Sequence, residues 1–302
     1  MRVLFLGLPL AALLLERDGH EIVLAAVCRR DALGLRRLRR VLGPERVLVK
    51  PKLDAGFVER ARALAPELVV SWFWTNRIPL ELVRVAPLGG FGVHPSLLPR
   101  HRGPDPTAWA ILAGDAEAGV TAHRLAEDYD TGPMLDAERL AIDPAWSAWQ
   151  LARALDRPSL AVLRRVTRAF AEGRPPEETE QDPAQATEAP TLDEADQELH
   201  FATPTAELLR RVRALSPAPG AYFQLGADPI TVLRASACAA PAALERPGQI
   251  AVHGGKVIVR TLDGALELSS VERDGEPMSL GELAELVERE ARDESLAHGI
   301  EP

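Results

Sequence analysis

Residues 1–27, MRVLFLGLPLAALLLERDGHEIVLAAV, set the fold class. Two apolar runs, Val3–Leu6 and Ile22–Val27, flank a stretch, Leu10–Arg17, whose leucines recur at helical spacing. A continuous apolar run, a helical period and a second apolar run make the rhythm of a strand–helix–strand unit covered on both faces. The rhythm continues with strand-like runs at Val47–Val49 and Leu68–Ser71 and helical patterns at Asp31–Leu42 and Asp54–Leu64. This predicts an α/β domain on a doubly wound parallel sheet. The apolar run Val3–Leu15 is about half the length of a membrane span and is broken by Pro9. Glu16-Arg17-Asp18 follows it where a signal peptide would carry small residues. Gly7 stands alone at the first strand-to-helix turn, so the three-glycine dinucleotide fingerprint is missing and no nicotinamide or flavin is expected.

The 302 residues are 46% hydrophobic and 26% charged, in line with two globular domains. Cys28 and Cys238 lie far apart with no His or Cys at metal-ligand spacing, which predicts a reduced, cytoplasmic protein without a zinc site. Charge is unevenly spread. Residues 1–175 hold 25 basic and 20 acidic residues, and residues 176–302 hold 10 and 24, within a total of −9. The acidic C-terminal part argues against a nucleic-acid surface there, because polyanion affinity rests on Lys and Arg neutralising phosphates. Arg36, Arg37, Arg39 and Arg40 could form an anion or RNA contact or simply the solvated face of a helix.

Farther along, Ser147–Glu172 reads as a long amphipathic helix with a candidate interruption at Pro158. Residues 174–198 turn to Pro, Glu, Asp, Ala and Thr, the composition of a surface linker. A helix at Thr203–Leu215 precedes short alternating runs at Ala221–Leu225, Ile230–Ala235, Gly248–Val252, Lys256–Thr261 and Ala265–Ser270, punctuated by Gly254-Gly255 and Asp263-Gly264. These predict a small antiparallel barrel. The expected organisation is an α/β domain over 1–175, an acidic linker over 176–200 and a barrel over 201–302.

The densest cluster of reactive residue types lies between Phe91 and Leu135: His94-Pro95-Ser96-Leu97-Leu98-Pro99, Arg102-Gly103, Gly119-Val120-Thr121 and Asp130-Thr131-Gly132. This order resembles the signature of the folate-dependent formyltransferases, which include methionyl-tRNA formyltransferases and sugar-amine N-formyltransferases. Arg211–Phe223, Pro247–Ile250 and Ala186–Pro190 resemble further family motifs, so the likeness covers nearly the whole chain. It implies an OB-like C-terminal barrel and an enzyme that takes a formyl group from 10-formyltetrahydrofolate. It also implies catalytic roles for His94 and Asp130, and folate contacts from Leu88, Gly89, Gly90 and Phe91 on one side and Glu127, Asp128 and Tyr129 on the other.

Formyl transfer to an amine needs a donor for the oxyanion and an acceptor for the amine proton. By the same resemblance the family's donor asparagine falls at Gly92, which has no side chain. The chain's single asparagine, Asn76, follows the fourth strand and could replace that donor or cap a turn. His123 fits the motif version of formyltransferases acting on small molecules, and equally a packed strand residue. Three functions follow from the resemblance: formylation of a small amine in a specialised biosynthetic pathway, a formyltransferase scaffold with redirected or lost transfer, and a methionyl-tRNA formyltransferase. The first is preferred, with nucleic acid and membrane not expected as partners, because the C-terminal part is acidic and Thr191 stands where the tRNA enzymes carry a lysine.

Overall fold

The computed structural model describes residues 1–297, with side chains through Arg292. The first half runs β1 (Arg2–Gly7), α1 (Pro9–Arg17), β2 (Glu21–Val27), α2 (Leu35–Leu42), β3 (Val47–Val49), α3 (Ala55–Ala63), β4 (Leu68–Trp72), α4 (Leu80–Val83), β5 (Gly90–His94), α5 (Pro106–Ala113), β6 (Glu117–Arg124), β7 (Met134–Ala141) and α6 (Ala148–Ala171). Its sheet has seven strands in the order β3-β2-β1-β4-β5-β6-β7. The first five pair in parallel, as the strand–helix alternation predicts. β6 and β7 join antiparallel, making the sheet mixed.

Burial explains the register. Leu4, Leu6, Leu24, Ala26 and Val69 pack with Phe57, Val58 and Ala61 of α3 on one face of the sheet. On β5, Phe91 stacks against Phe170 of α6, with ring centroids 6.1 Å apart. Gly7 has a local role: a Cβ there would lie 1.8 Å from the Trp72 carbonyl oxygen, so only glycine lets β1 end this close to β4. The candidate interruption at Pro158 does not occur, and α6 runs through it for 24 residues. Next to it, Ser159 accepts a 2.6 Å hydrogen bond from Trp72 Nε1 at the end of β4. A proline removes one N–H from the ladder but does not force a break when the flanking turns are packed; Leu155, Val162, Leu163 and Val166 are all buried.

The second half comprises α7 (Glu194–Gln197), α8 (Thr205–Leu215), β8 (Ala221–Leu225), β9 (Asp228–Cys238), β10 (Ile250–His253), β11 (Lys256–Arg260), β12 (Ala265–Arg273), β13 (Glu276–Met278) and α9 (Leu280–Ala297). The strands form an antiparallel half-barrel in the order β10-β11-β12-β9-β8, with β13 on β12. Its core combines Val212 and Leu215 of α8, Phe223, Val232, Val259 and Leu268 of the strands, and Leu283 and Val287 of α9. Neither β13 nor α9 follows from the sequence patterns above.

The compact units are not continuous in sequence. One takes residues 1–106, 117–141 and 152–191; the other takes 107–116, 142–151 and 192–302. The expected boundaries placed 107–116 and 142–151 in the first domain. Two arginines of α8 draw these segments into the second unit: Arg210 donates to the Leu112 carbonyl and Arg213 to the Trp146 carbonyl. The 176–191 part of the expected linker belongs to the first unit, pinned by backbone pairing of Met134 with Thr179 and of Arg102 with Glu188. Among the described residues no helix is long and apolar enough to cross a membrane.

Candidate active site

The site forms within the first unit, where β4 and β5 end, beside His123 of β6. His94 is the last residue of β5, and β5 pairs with β6 so that Gly92 faces His123 and His94 faces Thr121. The segment after His94 is held by side chains: Thr121 donates to the Ser96 carbonyl (2.8 Å) and accepts from Leu98 N (3.1 Å), and Ser96 donates to the Arg100 carbonyl (2.7 Å). These bonds place the His101 carbonyl 2.8 Å from His94 Nε2. A carbonyl only accepts, so Nε2 carries hydrogen and Nδ1 is turned toward Asp130 Oδ2 at 3.4 Å.

Asp130 lies between two histidines. Its Oδ1 is 3.3 Å from His123 Nε2, and its Oδ2 also accepts the Gly103 backbone N–H at 3.0 Å. Its backbone adopts φ 56°, and Phe73 (54°) and His101 (56°) share this left-handed conformation beside the same site. Such strain persists where surrounding contacts over-determine it. Here Gln181, from the expected linker, supplies them: its amide donates to the Asp130 and Gly132 carbonyls at 2.7 Å each. Its Oε1 accepts from Arg102 Nε and Nη2 at 3.1 and 2.7 Å.

Burial and charge set the protonation states. Burial pushes the His94 imidazole below the ordinary histidine range, against the opposing pull of Asp130 and the His101 carbonyl. Burial pushes the Asp130 carboxyl upward, but His94, His123 and the Gly103 N–H outweigh it and hold it at about 2. The arrangement thus joins a neutral His94 to an ionised Asp130. Since the Asp130 side chain is 17% exposed against 8% for His94 and 6% for His123, the carboxylate is the member of the trio that an incoming molecule reaches first.

A cavity of about 750 Å³ opens over this trio. Gly92, His94, His123 and Asp130 line it, together with the loop after β4, which carries Asn76, and with Glu127, Asp128 and Tyr129. Asn76 therefore shares the cavity with His94 and Asp130, from an exposed loop position. Arg77 on that loop donates to the Glu127 carbonyl at 2.9 Å and lies 3.8 Å from the Glu127 and Asp128 carboxylates, clasping the two rims. Leu88, Gly89, Gly90 and Phe91 do not line this cavity: Phe91 is buried against Phe170, and the Leu88 carbonyl accepts from Arg124. His123, read as either a motif residue or a packed strand residue, joins the site with Gly103 of the Arg102-Gly103 motif and with Gln181, to which the motif reading gave no role. For His123 the signal was a polar residue inside a buried strand; for Gln181 the sequence gave none.

The formyl transferase family model matches residues 13–167, and the model of the family's C-terminal domain matches residues 191–286. The chain belongs to the formyl transferase family. This formyltransferase is 31% identical over 302 residues to a methionyl-tRNA formyltransferase of Herpetosiphon aurantiacus, spanning 92% of this chain and 95% of the relative. With the methionyl-tRNA formyltransferase of Thermus thermophilus it shares 35% identity over 291 residues, 91% and 92% of the two chains. Among solved structures, HypX from Aquifex aeolicus in complex with tetrahydrofolic acid matches with a TM-score of 0.64 at 21% identity; the match covers 91% of this chain and 44% of HypX. The N-formyltransferase from Helicobacter canadensis, in complex with folinic acid and dTDP-3-aminofucose, matches with a TM-score of 0.68 at 14% identity, over 89% and 99% of the chains. These structural matches are likenesses of fold.

Proposed function

We propose that this formyltransferase moves a formyl group from 10-formyltetrahydrofolate to the primary amine of a small molecule, an amino sugar or an amino-acid derivative. The observation that carries the reading is the buried His94–Asp130 pair at the floor of a cavity of about 750 Å³, a size suited to small molecules. Apolar Val93 and Leu125 with the aromatic Phe73 and Trp74 offer walls for a flat ring system, and Glu127, Asp128 and Tyr129 offer polar contacts at its rim. The folate supplies the formyl group, its N10 taking up a proton as the carbon passes to the amine.

The chain's own residues handle the amine. Asp130, ionised and the most accessible of the trio, accepts a hydrogen bond from the amine and takes its proton. His94, fixed by the His101 carbonyl, presents Nδ1 to Asp130 Oδ2 and stabilises the proton once it lies between the two groups. The acceptor preference rests on charge. Both guanidinium groups lining the cavity are engaged, Arg77 with Glu127 and Asp128 and Arg102 with Gln181, and Glu188 adds another carboxylate. This lining disfavours a polyanionic acceptor.

A second reading, formylation of methionyl-tRNA, is favoured by one surface: Arg36, Arg37, Arg39 and Arg40 are all exposed on α2. One assay separates the two. The purified protein is given 10-formyltetrahydrofolate with either a panel of amino sugars and diamino acids or methionyl initiator tRNA, and tetrahydrofolate release is followed. Turnover with a small amine and none with the charged tRNA is expected; the reverse would establish the second reading.

A further inference from the structure

The most informative space in the molecule is the one beside Gly92. Ser71 on β4, Gly92 on β5 and His123 on β6 stand opposite one another in the sheet, in one row across three strands. A Cβ built on Gly92 would have as its nearest neighbours Leu125 Cδ2 at 3.4 Å, His123 Nε2 at 3.6 Å and Ser71 Cβ at 3.6 Å. All three are ordinary contact distances, so this is a recess open to one additional heavy atom. Two of its walls are carbon and the third is a ring nitrogen. The recess belongs to the same cavity as His94 and Asp130.

His123 is held for a donor role. Its Nδ1 lies 3.0 Å from the Arg124 carbonyl, which only accepts, and its Nε2 faces the Asp130 carboxylate at 3.3 Å. Both ring nitrogens therefore look at acceptors, and the arrangement is satisfied when both carry hydrogen. The His94 ring centroid is 6.5 Å from that of His123, at the other oxygen of the same carboxylate. Ser71, Gly92 and Leu125 bring no charge, leaving Asp130 as the charged group against this ring.

We infer that the recess at Gly92 receives the formyl oxygen and that His123, through Nε2–H, is the catalytic residue that stabilises its developing negative charge. This assignment rests on the formyl-transfer reading above. It gives Gly92 a positive role: any side chain at position 92 would fill the recess and cover the nitrogen. It also gives the absent asparagine a substitute from the neighbouring strand, closer to position 92 than the loop that carries Asn76. Loss of a single oxyanion donor costs about 10²–10³ in kcat.

The test compares Gly92→Ala, Gly92→Asn, His123→Leu and His123→Gln in the full-length protein. Gly92→Ala adds a methyl at ordinary contact distances on a strand residue with no left-handed backbone, so it is expected to fold while lowering kcat about a hundredfold. His123→Leu should do the same with KM for the folate changed by less than about threefold. His123→Gln, which keeps an amide N–H near the place of Nε2, should recover most of the loss. Gly92→Asn, whose larger side chain also fills the recess, should lower kcat at least as much as Gly92→Ala.

A second readout needs no turnover. In protein labelled with ¹⁵N-histidine, 10-formyltetrahydrofolate added without an amine acceptor is expected to shift the His123 Nε2 resonance in the wild type and not in Gly92→Ala. Wild-type kcat in both Gly92→Ala and His123→Leu, or a resonance indifferent to 10-formyltetrahydrofolate, would overturn the assignment while leaving formyl transfer in place. If instead the resonance shifts but the wild type transfers no formyl group to any amine, the recess stands and the proposed function falls.

Discussion

Asp130 Oδ2 lies 3.4 Å from His94 Nδ1 and 3.0 Å from the Gly103 amide nitrogen, so one carboxylate oxygen joins the end of β5 to the segment that follows it. The left-handed backbone of Asp130 sharpens the choice of variant. Asn tolerates this conformation and Ala does not, so Asp130→Asn removes charge with little added strain, whereas Asp130→Ala removes both. Asp130→Asn and His94→Ala are each expected to lower kcat by about 10²–10⁴. Stopped-time assays of tetrahydrofolate release, alongside thermal melts showing that both variants fold, check this.

Acid should destabilise the protein in two stages. The folded-state value of His94 lies below its ordinary 6.5, so its contribution to stability is complete above that value and declines as pH falls through it. Asp130, held at about 2 against an ordinary 3.8, contributes stability that is present above 3.8 and lost as pH falls toward 2. Melting temperatures measured from pH 8 to 3 should begin to fall near pH 6.5. His94→Gln should flatten the upper part of that decline; an unchanged profile would show that His94 is protonated equally in both states.

Gly132 holds the Asp130 turn against β6. A Cβ there would lie 2.1 Å from the Arg124 carbonyl oxygen, a backbone atom that cannot swing aside. Gly132→Ala is expected to cost about 1–3 kcal/mol in urea unfolding and to lower activity as Asp130 shifts. Retention of both would mean that the turn relocates without disturbing the carboxylate.

Gln181 bonds at once to Arg102, Asp130 and Gly132. Gln181→Ala should therefore release the 176–191 segment, which limited proteolysis would reveal as faster cleavage there than in the wild type. It should also lower kcat about tenfold through misplacement of Asp130. Equal cleavage rates would show that backbone pairing alone secures the strap.

Asn76→Ala is expected to reduce kcat less than His123→Leu. The opposite ranking would return the donor role to the loop after β4.

With 10 basic and 24 acidic residues over 176–302, binding to initiator tRNA at physiological ionic strength should be weak. Gel shifts across a salt series measure this. Tight, salt-sensitive binding lost in a variant with Arg36, Arg37, Arg39 and Arg40 replaced by Ala would favour the tRNA reading.

By itself the sequence determined the alternation of strands and helices, because residues buried on both sheet faces must be apolar in runs, as in Val3–Leu6 and Ile22–Val27. Through its likeness to family motifs it also pointed to His94 and Asp130 together, which the structure sets 3.4 Å apart. What only the tertiary structure decided is the company they keep. His123 reaches Asp130 because β6 runs antiparallel to β5 in a register that sets it opposite Gly92, and pairing across strands has no signature in local periodicity. Gln181 sits in a stretch whose composition reads as a linker, yet its amide is buried where the Asp130 turn leaves two carbonyls in need of a donor. The interleaved units likewise depend on Arg210 and Arg213 reaching carbonyls about 100 and 70 residues earlier in the chain, at Leu112 and Trp146. Contacts at that separation are set by the folded chain as a whole and leave no trace in any one segment.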